Sequence, residues 1–284
     1  MSIPWQPSCP LSALAGRARL LRDIREFFAA RDVLEVQTSL LASHTVTDTQ
    51  IDSMAVGTQG YLQTSPEYQL KRLLAAGAPS IYQMGQVFRA GEAGRLHNPE
   101  FTLLEWYRLG FDDCQLRAEV AELVSLALGP AEYETYTYAS LVGDCARPRA
   151  ELDLRFVDAI NELGNGRFFI TDYPAEQAAL ARLQSADPTV AARFELVVDG
   201  VELANGYHEL TDATEQRRRF ALDVAERRMA GSAEVAVDEY FLAALDAGLP
   251  DCAGVALGVD RLLMLQLGAQ SLAEVMPFPL APVA

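Results

Sequence analysis

The sequence predicts an α+β fold in which helices flank an antiparallel sheet. Three observations carry that expectation. Two strand-like segments, residues 81–89 and 100–107, run into and out of a small-residue loop. Residues 194–198 and 201–204 enclose Asp199-Gly200, a pair that favours a two-residue hairpin because it tolerates positive φ. Helical patterns intervene irregularly, unlike the strand–helix alternation of a doubly wound sheet.

In chain order, Leu14, Arg17, Leu21, Ile24 and Phe28 recur at three- and four-residue steps, so residues 12–31 read as an amphipathic helix. A short strand is expected over 33–37. Ser65 is placed to cap a helix whose first position is Pro66, where a missing N–H does no harm. Gly77 closes that helix. Leu116, Val120, Leu123, Val124 and Ala127 mark another, ending before Gly129-Pro130. Residues 130–166 carry no clear pattern. After the hairpin come a charged helix over 213–229 and a helix capped by Asp238 running to about 247. A small-residue strand over 253–257 then leads through Gly258 into a helix reaching Leu267.

Composition limits the function. The 284 residues carry 23 Lys+Arg against 39 Asp+Glu, a formal charge of −16. That excess opposes a general nucleic-acid binder or an anionic-membrane binder, both of which need clustered cations. Four scattered cysteines read as reduced thiols, and no apolar run is long enough to span a bilayer. Residues 1–10 lack the pattern of a signal peptide. A cytoplasmic protein is the expectation. Of the 23 basic residues only Lys71 is a lysine, which codon usage accounts for.

Three segments can carry chemistry. With Asp199-Gly200 as the turn, Val197 faces Glu202 and Leu196 faces Leu203, and Glu195 shares the face of Glu202. Such a diagonal pair of carboxylates suits one Mg²⁺, and equally a solvated polar face. In the second segment, small residues after Arg89 let backbone approach a ligand, and arginine forks suit phosphate or carboxylate. On its return strand Phe101, Leu103, Glu105 and Tyr107 share a face, where a carboxylate and a phenol can clamp an ammonium. The third, residues 254–261, is a strand turning into a helix at Gly258, with Arg261 in reach of a phosphate.

The motifs TSPEYQLKRLL, GRLHNPEFTLLEWY, GVELANGYHELTDA and DCAGVALGVDRLLML occur in that order. The chain so read resembles the catalytic core of class II aminoacyl-tRNA synthetases. Residues 89–105 look like their second signature motif, 254–261 like the third and 19–38 like the first, a dimer-forming helix and strand. More narrowly it resembles the lysyl branch, and within it the truncated ligases that attach (R)-β-lysine to elongation factor P.

The resemblance implies an ATP-dependent reaction of lysine or (R)-β-lysine to an aminoacyl-adenylate, then transfer to a lysine side chain of elongation factor P. Arg89 and Arg261 are the catalytic pair: Arg89 bridges carboxylate and α-phosphate, and Arg261 holds the γ-phosphate end. Gly91, Glu92, Asn98, Glu202, Leu203 and Gly258 complete the ATP site. Glu195 and Glu202 bind Mg²⁺. Ser65 and Glu67 lie by the amino group near the reacting carboxylate, and Glu105, Tyr107, Asn205 and Glu209 surround the far ammonium. A homodimer is implied. Residues 1–284 are expected to form a single catalytic domain without an anticodon-binding domain, which with the acidic charge argues against tRNA as acceptor.

Two positions depart from the family pattern. Gly91 stands where a glutamate usually reads the adenine amino group, so Glu92 or loop backbone is expected to take over. Ser39 stands where the first motif usually ends in proline. The alternatives are a minimal lysyl-tRNA synthetase and a non-catalytic, synthetase-like regulatory protein. Gly91 favours the latter, and the retained Arg89, Arg261, Glu195 and Glu202 oppose it.

Overall fold

The structure, a computed structural model, describes residues 5–280. The first four residues of the N-terminal stretch read above lie outside the described residues. In chain order the elements are α1 Leu11–Ala29, β1 Leu34–Glu35, β2 Leu41–Ala42, β3 Tyr61–Leu62, α2 Glu67–Ala75, β4 Ile81–Phe88, β5 Glu100–Leu109 and α3 Asp113–Leu128. There follow β6 Glu134–Thr137, α4 Tyr138–Val142, α5 Arg149–Leu163, β7 Arg167–Pro174, β8 Val190–Val198 and β9 Val201–His208. The last are α6 Ala213–Met229, α7 Glu239–Gly248, β10 Cys252–Gly258 and α8 Val259–Gln266.

One sheet runs β1-β4-β5-β10-β9-β8-β7-β6. Its pairs from β4 to β7 are antiparallel, as expected. The two edges correct the expectation: β1 runs parallel to β4, and β6 parallel to β7. Each edge strand reaches its place through a connection too long to be a hairpin, so nothing local imposes the antiparallel sense.

One face of the sheet is the apolar core. Leu104, Trp106, Phe194, Leu196, Val255 and Leu257 pack against Ile24 and Phe28 of α1, Val120 and Leu123 of α3, and Leu262 and Leu263 of α8. The buried side of α1 is Ala13, Gly16, Leu20, Ile24, Phe27 and Phe28, so the expected stripe was turned by about one position, and Leu14 is exposed. Gly16 lies on the buried side, where a Cβ would meet Leu267 at 3.4 Å, so this line of α1 packs against the end of α8.

The unreadable stretch 130–166 forms β6, α4 and α5, which with β7 enclose a separate small core around Tyr138, Leu152, Phe168 and Ile170. Its strands and α4 are too short for a period to emerge, and α5 buries only Leu152 and Ile160 fully. Elsewhere caps mark the helix starts, at Asp238 as expected and at Asp112 with no sequence expectation. Asp238 accepts from the N–H groups of Tyr240 and Phe241, and Asp112 forms a reciprocal capping box with Gln115. Ser65 accepts from Glu67 N at 3.0 Å, and α2 begins one residue after Pro66.

Asp199 and Gly200 turn the hairpin with φ of 50° and 76°. Val197 faces Glu202 as predicted, but the register then shifts, and Leu196 pairs with Ala204 rather than Leu203. Leu203 is the extra residue of a β-bulge, because both it and Ala204 bury their side chains in the core. Beyond the bulge Asn205 pairs with Glu195. Glu202 and Asn205 therefore share the face opposite the core.

Asp260 ties three elements together behind that face. Its buried carboxylate accepts from Thr102 N of β5 at 2.6 Å and pairs with Arg17 of α1 at the start of α8. Asp260→Ala removes the counter-ion of a half-buried guanidinium, which keeps only long bonds to Thr102 Oγ1 and Val275 O, and the acceptor of the Thr102 amide. It should lower the unfolding free energy by about 3 kcal/mol, read as a shifted urea midpoint.

Candidate active site

The polar face of the sheet holds two adjacent rows. Across one, Gln83, Glu105, Ala256, Asn205 and Glu195 are successive partners; across the next, Ile81, Tyr107, Gly254, Tyr207 and Arg193. Small residues occupy the middle strand, so the floor is low between taller neighbours. Gly254 is obligatory: a Cβ there would strike the Tyr107 ring and the Glu209 carboxylate.

Helix α2 supplies one wall. Glu67 and Lys71 lie one turn apart and are ion-paired at 2.6 Å, and the Lys71 ammonium also stands 2.6 Å from Glu209 Oε2. Beside them Glu105, 2 % exposed, accepts from Ser65 Oγ and from the Tyr107 hydroxyl, each at 2.7 Å. Asn205 Oδ1 is buried without a hydrogen-bond partner among the described residues, an acceptor facing a cluster of acids.

Two carboxylates thus share one ammonium, and Glu105 lies close enough to feel its charge. Burial, then the charge of Glu67, raises Glu105 to about 7 against the pull of its hydrogen bonds. Burial raises Glu209 to about 8 against the pull of Lys71. Burial alone would strip the Lys71 proton, but Glu209 and Glu67 outweigh it and hold the ammonium protonated well above the ordinary lysine range. A cluster that holds protons so tightly is short of cations.

The other end of the face carries the arginines. Arg89 Nε donates to Thr64 O at 3.2 Å, and its guanidinium lies 5.1 Å over the Phe101 ring and 3.6 Å from Glu92. Gly91 adopts φ of 77°, which suits glycine and lets the loop turn. Arg261 donates to Leu96 O at 3.2 Å and to Glu202 O at 2.7 Å, and its third nitrogen meets His97 Nε2 at 2.9 Å. Burial, then Arg261, lowers the His97 pKa, which keeps the ring neutral beside the guanidinium.

Glu202 is half exposed, 3.7 Å from Arg261 Nη1. Glu195 is buried, and its Oε1 accepts from Arg193 at 2.5 Å. Burial, then the charge of Glu202, raises the Glu195 pKa. Two carboxylates that repel across one face, one of them open to solvent, are the donor set a hard divalent cation takes.

The predicted residues fall into these two connected groups. Glu67, Ser65, Glu105, Tyr107, Asn205 and Glu209 gather around the acidic cluster; Arg89, Gly91, Glu92, Glu202, Gly258 and Arg261 lie toward the loop, with Glu195 beside Asn205 on the same face. Leu203 has no partner residue in either ladder of β9, a consequence of the bulge. Asn98 is buried, its amide donating to Glu100 O at 2.5 Å and its carbonyl accepting from Leu280 N at 2.9 Å, so it braces the return of the loop. Three participants were missed. Lys71 and His97 lay inside quoted motifs but were given no role there. Arg193, two residues before Glu195, sits on the same strand face, a signal that period-two alternation contained.

A family model of class II tRNA synthetases (D, K and N) matches residues 10–282, and the chain belongs to that family. Within it, the chain is 45 % identical to a protein of Vibrio cholerae named elongation factor P–(R)-β-lysine ligase, over 97 % of both chains. It is also 45 % identical to the ligase of that name from Proteus mirabilis over 97 % of both, and 43 % to that of Vibrio vulnificus over the whole of both.

The pocket leaves a signature in stability. A folded-state pKa of about 7 for Glu105 against an ordinary 4.5 means that the folded protein holds the proton more tightly. The stability so gained is complete below about pH 4.5 and is lost as pH rises through about 7. The melting temperature of the ligand-free protein should fall across that window, and Glu105→Gln should flatten the fall; an unchanged slope would remove Glu105 as its source.

Proposed function

We propose that this chain is an ATP-dependent ligase that activates (R)-β-lysine, or lysine, as an aminoacyl-adenylate and transfers it to a lysine side chain of elongation factor P. The observation that carries the substrate is the acidic cluster, the buried Glu105 and Glu209 and the partly buried Glu67 beside the one ammonium of Lys71. An amino acid with a second ammonium satisfies such a site, and a neutral side chain would leave buried charge unpaired. Relatives that carry the ligase name over their whole length support the same reading.

In the first step a carboxylate oxygen of the amino acid attacks the α-phosphorus of ATP, the bond to the β-phosphate oxygen breaks, and pyrophosphate leaves. No covalent nucleophile of the protein is needed; positioning and charge stabilisation suffice. Arg89 would hold the carboxylate against the phosphate, with Phe101 beneath its guanidinium. Arg261, steered by Leu96, Glu202 and His97, would hold the terminal phosphate. Gly258 fits this reading: a Cβ there would meet only the Arg261 stem at 3.6 Å, an ordinary contact, so packing alone does not demand glycine. Glu195 and Glu202 would hold Mg²⁺, which would neutralise phosphate charge when bound. Glu92, beside Arg89, and the loop backbone would read the adenine in place of the glutamate absent at Gly91. In the second step the acceptor's lysine amine attacks the adenylate carbonyl and AMP leaves.

The single family model over residues 10–282 supports one catalytic domain. Exposed Leu11, Leu14, Leu34, Leu40 and Leu41 around α1 and β1 support a homodimer despite Ser39. No helix among the described residues is long and apolar enough to cross a membrane. The charge of −16 speaks for a protein acceptor over tRNA.

Pyrophosphate exchange should occur with (R)-β-lysine or L-lysine, and mass spectrometry of elongation factor P should then show the aminoacyl adduct on a lysine. No exchange with either amino acid refutes the proposal; exchange followed by tRNA charging without a protein adduct replaces it with the synthetase. Glu202→Ala should lower exchange about a hundredfold while leaving the melting temperature unchanged, since a half-exposed side chain carries little stability.

A further inference from the structure

Lysine is almost absent from this chain: 22 of its 23 basic residues are arginine. On a surface either cation serves, so a general preference for arginine needs no structural cause. The exception is informative. The one lysine is 1 % exposed, and its ammonium lies 2.6 Å from carboxylates of two different elements, Glu67 of α2 and Glu209 just past β9. Aromatic rings close the remaining sides, Tyr107 at 5.9 Å and Phe241 at 5.8 Å. A compact ammonium fits between two carboxylates there; the broader planar fork of a guanidinium does not.

We propose that Lys71 is a built-in counter-ion of the amino-acid pocket, a positioning residue that holds Glu67 and Glu209 and sets how many cations the ligand must bring. This deepens the function proposed above and rests on it. Without a ligand Glu105 and Glu209 hold their protons more tightly than ordinary carboxylates; fully ionised, as bound cations make them, Glu67, Glu105 and Glu209 carry three negative charges, and Lys71 cancels one. Two remain, matching the two ammonium groups of a diamine acid. An amino acid with one ammonium leaves a buried carboxylate unpaired and is rejected. The ionisable groups around Lys71 are Glu67, Glu105, Tyr107, Tyr207, Glu209 and Cys252, while Arg182 donates to the Glu209 backbone carbonyl and pairs with Asp251.

A single lysine gives a single signal, so full-length protein grown with lysine carrying ¹³C at Cε reports on this site alone. The Lys71 signal should not titrate up to about pH 11, where an exposed lysine has lost its proton. It should shift on adding (R)-β-lysine or L-lysine and stay put with norleucine, which lacks the second ammonium. Lys71→Met lets Glu67 and Glu209 repel, so they ionise only at higher pH. KM for the diamine acid should rise about tenfold, and the acid limb of kcat/KM should move up by about one pH unit. Lys71→Arg should not restore either value. A Lys71 signal that titrates like an exposed lysine or ignores the diamine overturns the proposal, as does a Lys71→Arg enzyme indistinguishable from wild type. If Lys71→Met does not fold, the labelled wild type decides alone. Wild-type protein without any exchange defeats the ligase reading; an active wild type with a silent Lys71 defeats this inference only.

Discussion

Alternate residues of a strand face opposite sides of a sheet, so Glu202 and Asn205, three positions apart, cannot share a face in an unbroken register. The bulge at Leu203 removes that conflict. It turns Leu203 and Ala204 both into the apolar core and brings Glu202, Asn205 and Tyr207 to the polar side. The Glu202 end and the Asn205 end of the candidate site are thereby built from one strand. A regular hairpin would have sent either the outer carboxylate or the inner pocket into the core, where neither has partners.

The same face is deep because its middle strand is thin. Gly254 and Ala256 of β10 lie between Tyr107 and Glu105 of β5 and Tyr207 and Asn205 of β9. Large neighbours around a low floor exclude water from the carboxylates, and exclusion is what raises their proton affinity. The acidic cluster is therefore a place where the fold sacrifices stability. Support comes from outside it: Asp260 and Thr102 join the second and third motif segments, and Arg17 ties them to α1 just ahead of the first.

Much of this was legible locally. The Asp199-Gly200 turn, the caps at Asp238 and Ser65, and the helices α3 and α6 depend on side chains within a few residues of the backbone they serve. The sharing of a face by Glu105 and Tyr107 follows from period-two alternation and held, as their mutual hydrogen bond records. The phase of α1 differs from the leucine spacing because its buried side takes in Ala13 and Gly16, small residues that a pattern of large apolar side chains does not count. The Leu196 pairing was misjudged because a bulge has no dependable signal in one strand's sequence. The parallel edges, and the small core around Tyr138, rest on contacts between segments far apart in the chain.

By itself the sequence determined the kinds of element, the order of the motifs and the excess of acid, because periodicity, capping and charge are written in near neighbours. Only the tertiary structure decided where that acid matters. Glu67, Glu105 and Glu209 come from three separate elements and become a cluster only when α2 closes over the sheet, and Lys71 changes from a compositional oddity to the cation among them. Electrostatic energy depends on distance and burial, and neither can be read along a chain.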